Sequence, residues 1–230
     1  ENGLNDIGLT GRDIDAILIT HEHVDHIAGL GVLSRRYGIP IYTTEKTADA
    51  IQETKSVGKI PEELFHPVCA EEAFTIKDLT VNPMRISHDA ADPVGYRFSY
   101  GSSHAAVCTD LGTYNDYTVE CLKGMDVLLL EANHDVNMLQ VGSYPYYLKQ
   151  RILGNRGHLS NENSGRLLSR VLHDNLKKVI LGHLSQENNL PELAYETVRM
   201  EIDLADNPYH GGDFPIQVAK RNEVSEMICF

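Results

Sequence analysis

Six consecutive residues, His21-Glu22-His23-Val24-Asp25-His26, place metal-ligand side chains at their first, third, fifth and sixth positions. In an extended loop His21 and His23 point the same way, because side chains alternate with period two. Asp25 and His26 follow at the turn into a helix, where they can face a second point in space. That arrangement suits two metal ions side by side better than one. A lone histidine in a loop is usually an ordinary polar residue, but four ligand types in six residues directly after an apolar run are hard to obtain by chance. Three further ligand-type residues share the placement just past an apolar run: His88 after 81–87, Asp110 after 105–109, and His183 after 179–182. Imidazole and carboxylate donors suit zinc, and also manganese or iron.

A second constellation can move a proton. Glu131 closes the apolar run 127–130, and twenty-seven residues on lies His158 in the stretch RGHLSN. Ser160 or Asn161 can cap the helix that follows, and a capped helix start offers free N–H groups that suit a phosphate. A histidine there, partnered by a glutamate, is oriented and kept partly protonated. It can then donate a proton to a leaving oxygen. Taken alone, His158 reads more readily as a polar loop residue.

The elements that must position these groups follow from the hydrophobic pattern. Residues 15–20 read as a buried strand and 27–37 as the helix behind the first cluster. A strand at 39–42 leads to Thr44, which caps a helix over 45–54. Strands at 73–76 and 79–86 turn at Asp78, and strands at 94–100 and 104–109 form a hairpin around Gly101-Ser102-Ser103. Helices are expected at 114–123, 136–141, 145–153, 161–173 and 191–203, the last with Leu193, Val198 and Ile202 on one face. Strands are expected at 127–130, 178–181, 216–219 and 227–230. Ligands at the carboxyl ends of strands are where α/β sheets carry their chemistry, and strands mixed with helices on both sides fit a layered α/β sandwich.

At 230 residues the chain reads as one large domain, 1–230. With 42% hydrophobic and 23% charged residues it has the composition of an ordinary soluble globular protein. No apolar run approaches the roughly 18–20 residues that span a bilayer, so neither a signal peptide nor a membrane partner is expected. Cys69, Cys108, Cys121 and Cys229 are scattered without a CxxC pair, which reads as free thiols in a reducing cytoplasm. The net charge of −13 argues at first against a nucleic-acid partner, but residues 141–183 carry 7 basic and 2 acidic side chains. Local charge decides what a surface attracts. Within that segment Tyr144, Tyr146 and Tyr147 lie among Lys149, Arg151 and Arg156, so aromatics could stack on bases while cations hold phosphates. The plainer alternative is a helix packing its tyrosines in the core.

The stretch THEHVDH resembles the HxHxDH signature of the metallo-β-lactamase fold superfamily, whose members are mostly di-metal hydrolases. The resemblance implies a four-layer αββα sandwich. It also implies several strands ahead of the signature, and with Glu1 as first residue the expectation is a chain lacking its N-terminal strands. The ligand order matches that family. His21, His23 and His88 would hold the first metal, Asp25, His26 and His183 the second, and Asp110 would bridge them. Two metals about 3.5–4 Å apart can clamp both oxygens of a displacement at phosphorus. Asp110 as bridge points to the branches acting on phosphodiesters and thioesters, since the β-lactamases usually carry cysteine there. The pairing of Glu131 with His158 resembles tRNase Z-type nucleases, although neither a tRNA-clamping arm nor a β-CASP insertion has a counterpart here. LLEANHD, SYPYYLKQRI, GHLSN and LGHLSQENN together resemble the YycJ/WalJ family from Leu4 onward.

That resemblance implies a 5′-to-3′ DNA exonuclease, with Asp25 doubling as orienter of the nucleophile and His158, with Glu131, as proton donor. Ser160, Asn161, Tyr144, Lys149, Arg151 and Arg156 would contact the nucleic acid. The rival enzyme is a small-molecule hydrolase of the same fold, acting on a thioester, lactone or cyclic nucleotide. The rival from another class is a binding protein that kept the fold, against which the intact ligand set speaks.

Overall fold

Short β-branched and leucine-rich runs, each ended by a polar or glycine turn, make strands here, and the amphipathic segments between them make helices. The structure, a computed structural model, describes residues 1–230. It divides into two compact units, one of residues 1–85 and 90–96, the other of residues 86–89 and 97–230.

The first unit opens with α1 (Asn2–Asp6) and a three-stranded parallel sheet in the order β1-β2-β3, from β1 (Ile17–Leu18), β2 (Ile41–Thr43) and β3 (Phe65–Pro67). The strand expected over 15–20 keeps only two ladder residues. Beyond them Ile19 donates to the Tyr42 carbonyl at 3.0 Å and Thr20 accepts from Val94 N at 3.0 Å, so the backbone arrives at His21 already tied down. Helices α2 (Val24–Ile27) and α3 (Leu30–Tyr37) replace the single helix expected. The second ends on Gly38, whose φ of 67° is the left-handed conformation that closes a helix. Helix α4 (Glu45–Glu53) starts where Thr44 predicts, yet Thr44 makes no cap bond to the helix. Its hydroxyl donates instead to the Asp92 carbonyl at 2.9 Å. Ile19, Ile27, Leu30, Ile41, Ile51, Val57 and Ile60 form the core of this unit. An antiparallel hairpin of β4 (Phe74–Ile76) and β5 (Leu79–Arg85) follows, and β6 (Val94–Tyr100) runs across the boundary in sequence between the units.

The second unit is built on parallel strands in the order β10-β9-β8-β7, from β7 (Ser103–Cys108), β8 (Val127–Glu131), β9 (Lys178–Gly182) and β10 (Ile216–Val218). Four of the five β8 residues are buried, as a strand covered on both faces requires. Parallel neighbours need long crossovers. These are supplied by α5 (Asp116–Leu122), α6 (Val136–Val141), α7 (Tyr146–Leu153), α8 (Asn161–Ser169) and α9 (Pro191–Leu204). Asn115 caps α5 by accepting from Thr118 N at 3.1 Å. Helix α8 stops four residues short of the expected 173, and the Ser169 hydroxyl turns back to the Gly165 carbonyl at 2.8 Å. On α9, Ala194, Val198 and Ile202 are fully buried, while Leu193 is only half-buried. The strand expected at 227–230 is absent. Met227 and Phe230 stay exposed there, so no burial offsets the entropy of ordering that end.

Gly165 lets α8 and α9 approach closely: a Cβ added there would lie 2.6 Å from Glu201 Cβ and 3.1 Å from Val198 Cα. Gly165→Val should therefore force the helices apart and cost about 1–3 kcal/mol. Urea unfolding monitored by circular dichroism measures this, and an unchanged midpoint would refute the close packing.

Candidate active site

In the second unit the carboxyl ends of three neighbouring parallel strands deliver one residue each: Asp110 two residues beyond β7, Glu131 ending β8, and His183 just after β9. Their ligand atoms, with one from His158, lie within 4.8 Å of one another. Asp110 and His183 adopt left-handed backbone, φ 59° and 57°. That conformation is uncommon for residues with a Cβ and costs of the order of 1–3 kcal/mol unless the surroundings enforce it. Glycine would relieve the strain but would remove the donor.

Glu131 is the centre of this group. It is completely buried. Its Oε1 accepts from His158 Nδ1 at 2.8 Å and from His183 Nδ1 at 2.9 Å. Its Oε2 accepts from the backbone N–H groups of Leu111 at 2.9 Å and Leu159 at 3.0 Å. Burial alone would raise its pKa, but the hydrogen bonds from His158 and His183 outweigh that and hold the carboxyl down to about 2. Glu131 is thus ionised at neutral pH, and Nδ1 of both rings carries the proton.

His183 then has Nε2 as its lone-pair nitrogen, 3.4 Å from Asp110 Oδ1. His88 is arranged likewise. Its Nδ1 lies 3.0 Å from the Gly157 carbonyl, and its Nε2 faces Asp110 Oδ1 at 3.7 Å. Burial lowers the His88 pKa in spite of the Asp110 charge, which keeps the ring neutral. Histidines with one nitrogen spent on a carbonyl or carboxylate and the other directed at a shared carboxylate are typical metal ligands. The donor set therefore fits a divalent metal ion. His158 differs, because the nitrogen it turns toward Asp110, at 3.7 Å, is the Nδ1 already bound to Glu131.

In the first unit the 21–26 loop brings His21 and His23 together, in line with the alternation, and sets His26, expected to face a second point, beside His21 as well. The His21 ring lies 4.6 Å from that of His23 and 4.1 Å from that of His26. Thr20 Oγ1 sits 3.0 Å from His21 Nδ1 and 3.3 Å from His26 Nδ1. Asp25 and His26 belong to the single-turn helix α2, and Asp25 is exposed, 3.8 Å from His26 Nε2. Glu22 anchors the loop by accepting from Ala91 N at 2.8 Å.

The residues assigned to substrate contact have mixed surroundings. Ser160 caps α8, accepting from Asn163 N at 3.3 Å, while Asn161 is fully buried and bonds Asn189. Lys149 donates to the carbonyls of Gln140 and Gly142, Arg151 makes a two-pronged pair with Asp89, and Arg156 donates to the His88 carbonyl. Further along the basic segment Arg166 pairs with Glu201, Arg170 with Asp116, and Lys177 with Asp126. Tyr144 is half-buried. Tyr146 and Tyr147 expose 76% and 74% of their surface, which overturns the alternative of tyrosines packed in the core.

Sequence reasoning missed that Glu131 serves His183 as well as His158, and that Gly157 holds His88. Gly157 also approaches Gly112 so closely that a Cβ on Gly112 would collide with Gly157 N, so the His158 loop can lie against the Asp110 loop. The glycines themselves were the available signal.

A sequence model described as the beta-lactamase superfamily domain matches residues 6–183. The chain is 43% identical over 203 residues to the exodeoxyribonuclease WalJ of Streptococcus pneumoniae serotype 2, spanning 88% of this chain and 76% of that protein. It is 39% identical over 192 residues to the exodeoxyribonuclease YycJ of Bacillus anthracis, spanning 84% of this chain and 72% of that one. Among solved structures, the metallo-β-lactamase fold protein YhfI of Bacillus subtilis superposes with a TM-score of 0.68 at 17% identity, over 94% of this chain and 78% of that chain, a likeness of fold. No helix is long and apolar enough to cross a membrane.

Because the Glu131 carboxyl falls from its ordinary 4.5 to about 2 on folding, it stabilises the fold above pH 4.5, and that contribution is lost as pH falls toward 2. Metal-free Glu131→Gln should be less stable than the parent near neutrality, with the gap narrowing on acidification. Urea midpoints across that range measure it, and a gap independent of pH would contradict the assignment.

Proposed function

This chain belongs to the metallo-β-lactamase superfamily and within it to the WalJ/YycJ group, and from that premise we propose that it is a metal-dependent exodeoxyribonuclease working 5′ to 3′. The observation that carries the chemistry is the buried Glu131 carboxylate, shared between a histidine suited to hold metal and a histidine suited to give a proton. We treat residues 1–230 as one domain. In it His21, His23 and His88 would hold one divalent metal, Asp25, His26 and His183 a second, and Asp110 would bridge them, with zinc or manganese favoured and iron compatible. Bound there, such ions would supply Lewis-acid charge and an acidified water.

The chain's own residues do the rest. Asp25 orients the attacking water. His158, its Nδ1–H fixed on Glu131, presents Nε2 to the leaving oxygen and, as the imidazolium with a second proton on Nε2, passes that proton to it and returns to the neutral ring. The exposed rings of Tyr146 and Tyr147 can stack on bases, with Tyr144, Lys149, Arg151 and Arg156 flanking the strand; Ser160 and Asn161, buried at the start of α8, are not substrate contacts.

One observation favours a second reading. Lys149, Arg151, Arg166, Arg170 and Lys177 are all engaged by acceptors of the chain itself, which weakens the basic segment as a nucleic-acid surface. A small-molecule hydrolase acting on a thioester, lactone or cyclic nucleotide would need no such surface. Competition by duplex DNA against a generic phosphodiester reporter separates the two, since only a nuclease should be inhibited.

With protein reloaded with manganese or zinc, DNA labelled at its 5′ end should release labelled mononucleotides before DNA labelled at its 3′ end does. Asp110→Ala should abolish release together with metal binding. His158→Ala should lower turnover by about 10²–10⁴-fold with metal content intact. Metal lost along with activity in that variant would sink the proton-donor role. No cleavage with two metals bound would favour the small-molecule hydrolase.

A further inference from the structure

Besides the loop after β7, three segments of the second unit supply the Glu131 group: 131–135 from the end of β8, 158–161 into the start of α8, and 182–190 from the end of β9. Three asparagines tie them together. Asn161 and Asn189 form a reciprocal amide pair, each Nδ2 donating to the other's Oδ1 at 2.9 Å. Asn189 Nδ2 also reaches the carbonyls of Ala132 at 2.9 Å and Asn133 at 3.1 Å, and its Oδ1 accepts from Leu190 N at 2.9 Å. Asn133 completes the brace. Its backbone N–H donates to the Leu159 carbonyl at 2.9 Å, its carbonyl accepts from Ser185 N at 2.7 Å, and its Nδ2 donates to the His183 carbonyl at 2.9 Å. All three side chains are buried, at 8%, 0% and 5% exposure for Asn133, Asn161 and Asn189.

A buried amide is tolerated only when its polar atoms are paired, and a satisfied network makes the local structure rigid and unique. The residue that most needs such enforcement is His183, whose left-handed backbone persists only where neighbours over-determine it. The side chain that reaches its carbonyl is Asn133. We infer that Asn133, backed by the Asn161–Asn189 pair, is a positioning residue that locks His183 in its left-handed conformation, with Nδ1 on Glu131 and Nε2 toward Asp110. The inference rests on the reading of His183 and Asp110 as metal ligands.

Asn133→Ala removes the brace, and Asn133→Asp keeps its shape while deleting the donor. Each is compared with the parent by circular dichroism, zinc equilibrium dialysis and the absorption spectrum of the cobalt-substituted protein. Folded variants should bind one zinc equivalent about 10–100-fold more weakly, with altered cobalt bands. Parental zinc affinity and cobalt spectrum in either folded variant overturn the inference, whatever happens to the melting temperature. Failure of both variants to fold overturns it too, because the brace would then serve the fold and not the ligand. Asp110→Ala is run in parallel. Parental zinc binding there overturns the metal-site reading, whereas weakened binding in Asp110→Ala with parental binding in the folded Asn133 variants overturns the brace alone.

Discussion

An ionised carboxylate with no access to water is the constraint on which the second unit depends. Stripping a carboxylate of water costs several kcal/mol, and the cost is tolerated only where the lone pairs are fully used. Glu131 uses both oxygens, accepting from the segments that follow β7 and β9 and from the one that precedes α8. Any shift of one segment would leave part of the charge unpaired, so the carboxylate sets the places of all three. The placement of Asp110, His158 and His183 follows from satisfying it. The same bonds place the Nδ1 proton of both rings on one carboxylate oxygen, and His183 then turns Nε2 toward Asp110.

Parallel strand ends make such a convergence cheap to build. Neighbouring strands advance in register, Cys108 beside Leu130 and Leu130 beside Leu181, so the residues that follow them arrive at one edge without long loops. The cost is backbone strain, since Asp110 and His183 must each turn sharply with a side chain in place. Rigid packing below, where Leu128, Leu130, Val179 and Leu181 are almost wholly buried, makes those turns sustainable. Local strain and a stiff core belong together here.

The basic segment shows why a charge count is a poor guide to a binding surface. Residues 141–183 carry five more basic than acidic side chains. Most of those cations nevertheless meet acceptors from distant parts of the chain, Asp89, Asp116, Asp126 and Glu201 among them. Exposed pairs of this kind contribute little to stability, about 0–1 kcal/mol each, but they reduce the field available to a phosphate backbone. The exposed tyrosines of α7 are the more distinctive surface feature.

The ligand types, their places after apolar runs, the α/β pattern and most helices could be read from the sequence, because hydrophobic periodicity and ligand spacing are local properties of the chain. Even the pairing of Glu131 with His158 could be anticipated, from a glutamate ending one apolar run and a histidine just before a capped helix, and the family resemblance points the same way. What the sequence could not show was any relation that depends on which strands become neighbours. That Glu131 also holds His183, that Gly157 orients His88, that Asn161 faces Asn189 instead of capping its helix, and that Arg151 meets Asp89 are all contacts between segments far apart in the chain. The β strand expected at 227–230 failed for the matching reason: an apolar run becomes a strand only where a partner edge and a face to bury await it. Residue types and spacing determined which chemistry this protein could perform. Tertiary structure decided that His88 turns Nδ1 to Gly157 and that His158 and His183 turn Nδ1 to Glu131, because that choice belongs to the hydrogen-bond partner and not to the histidine.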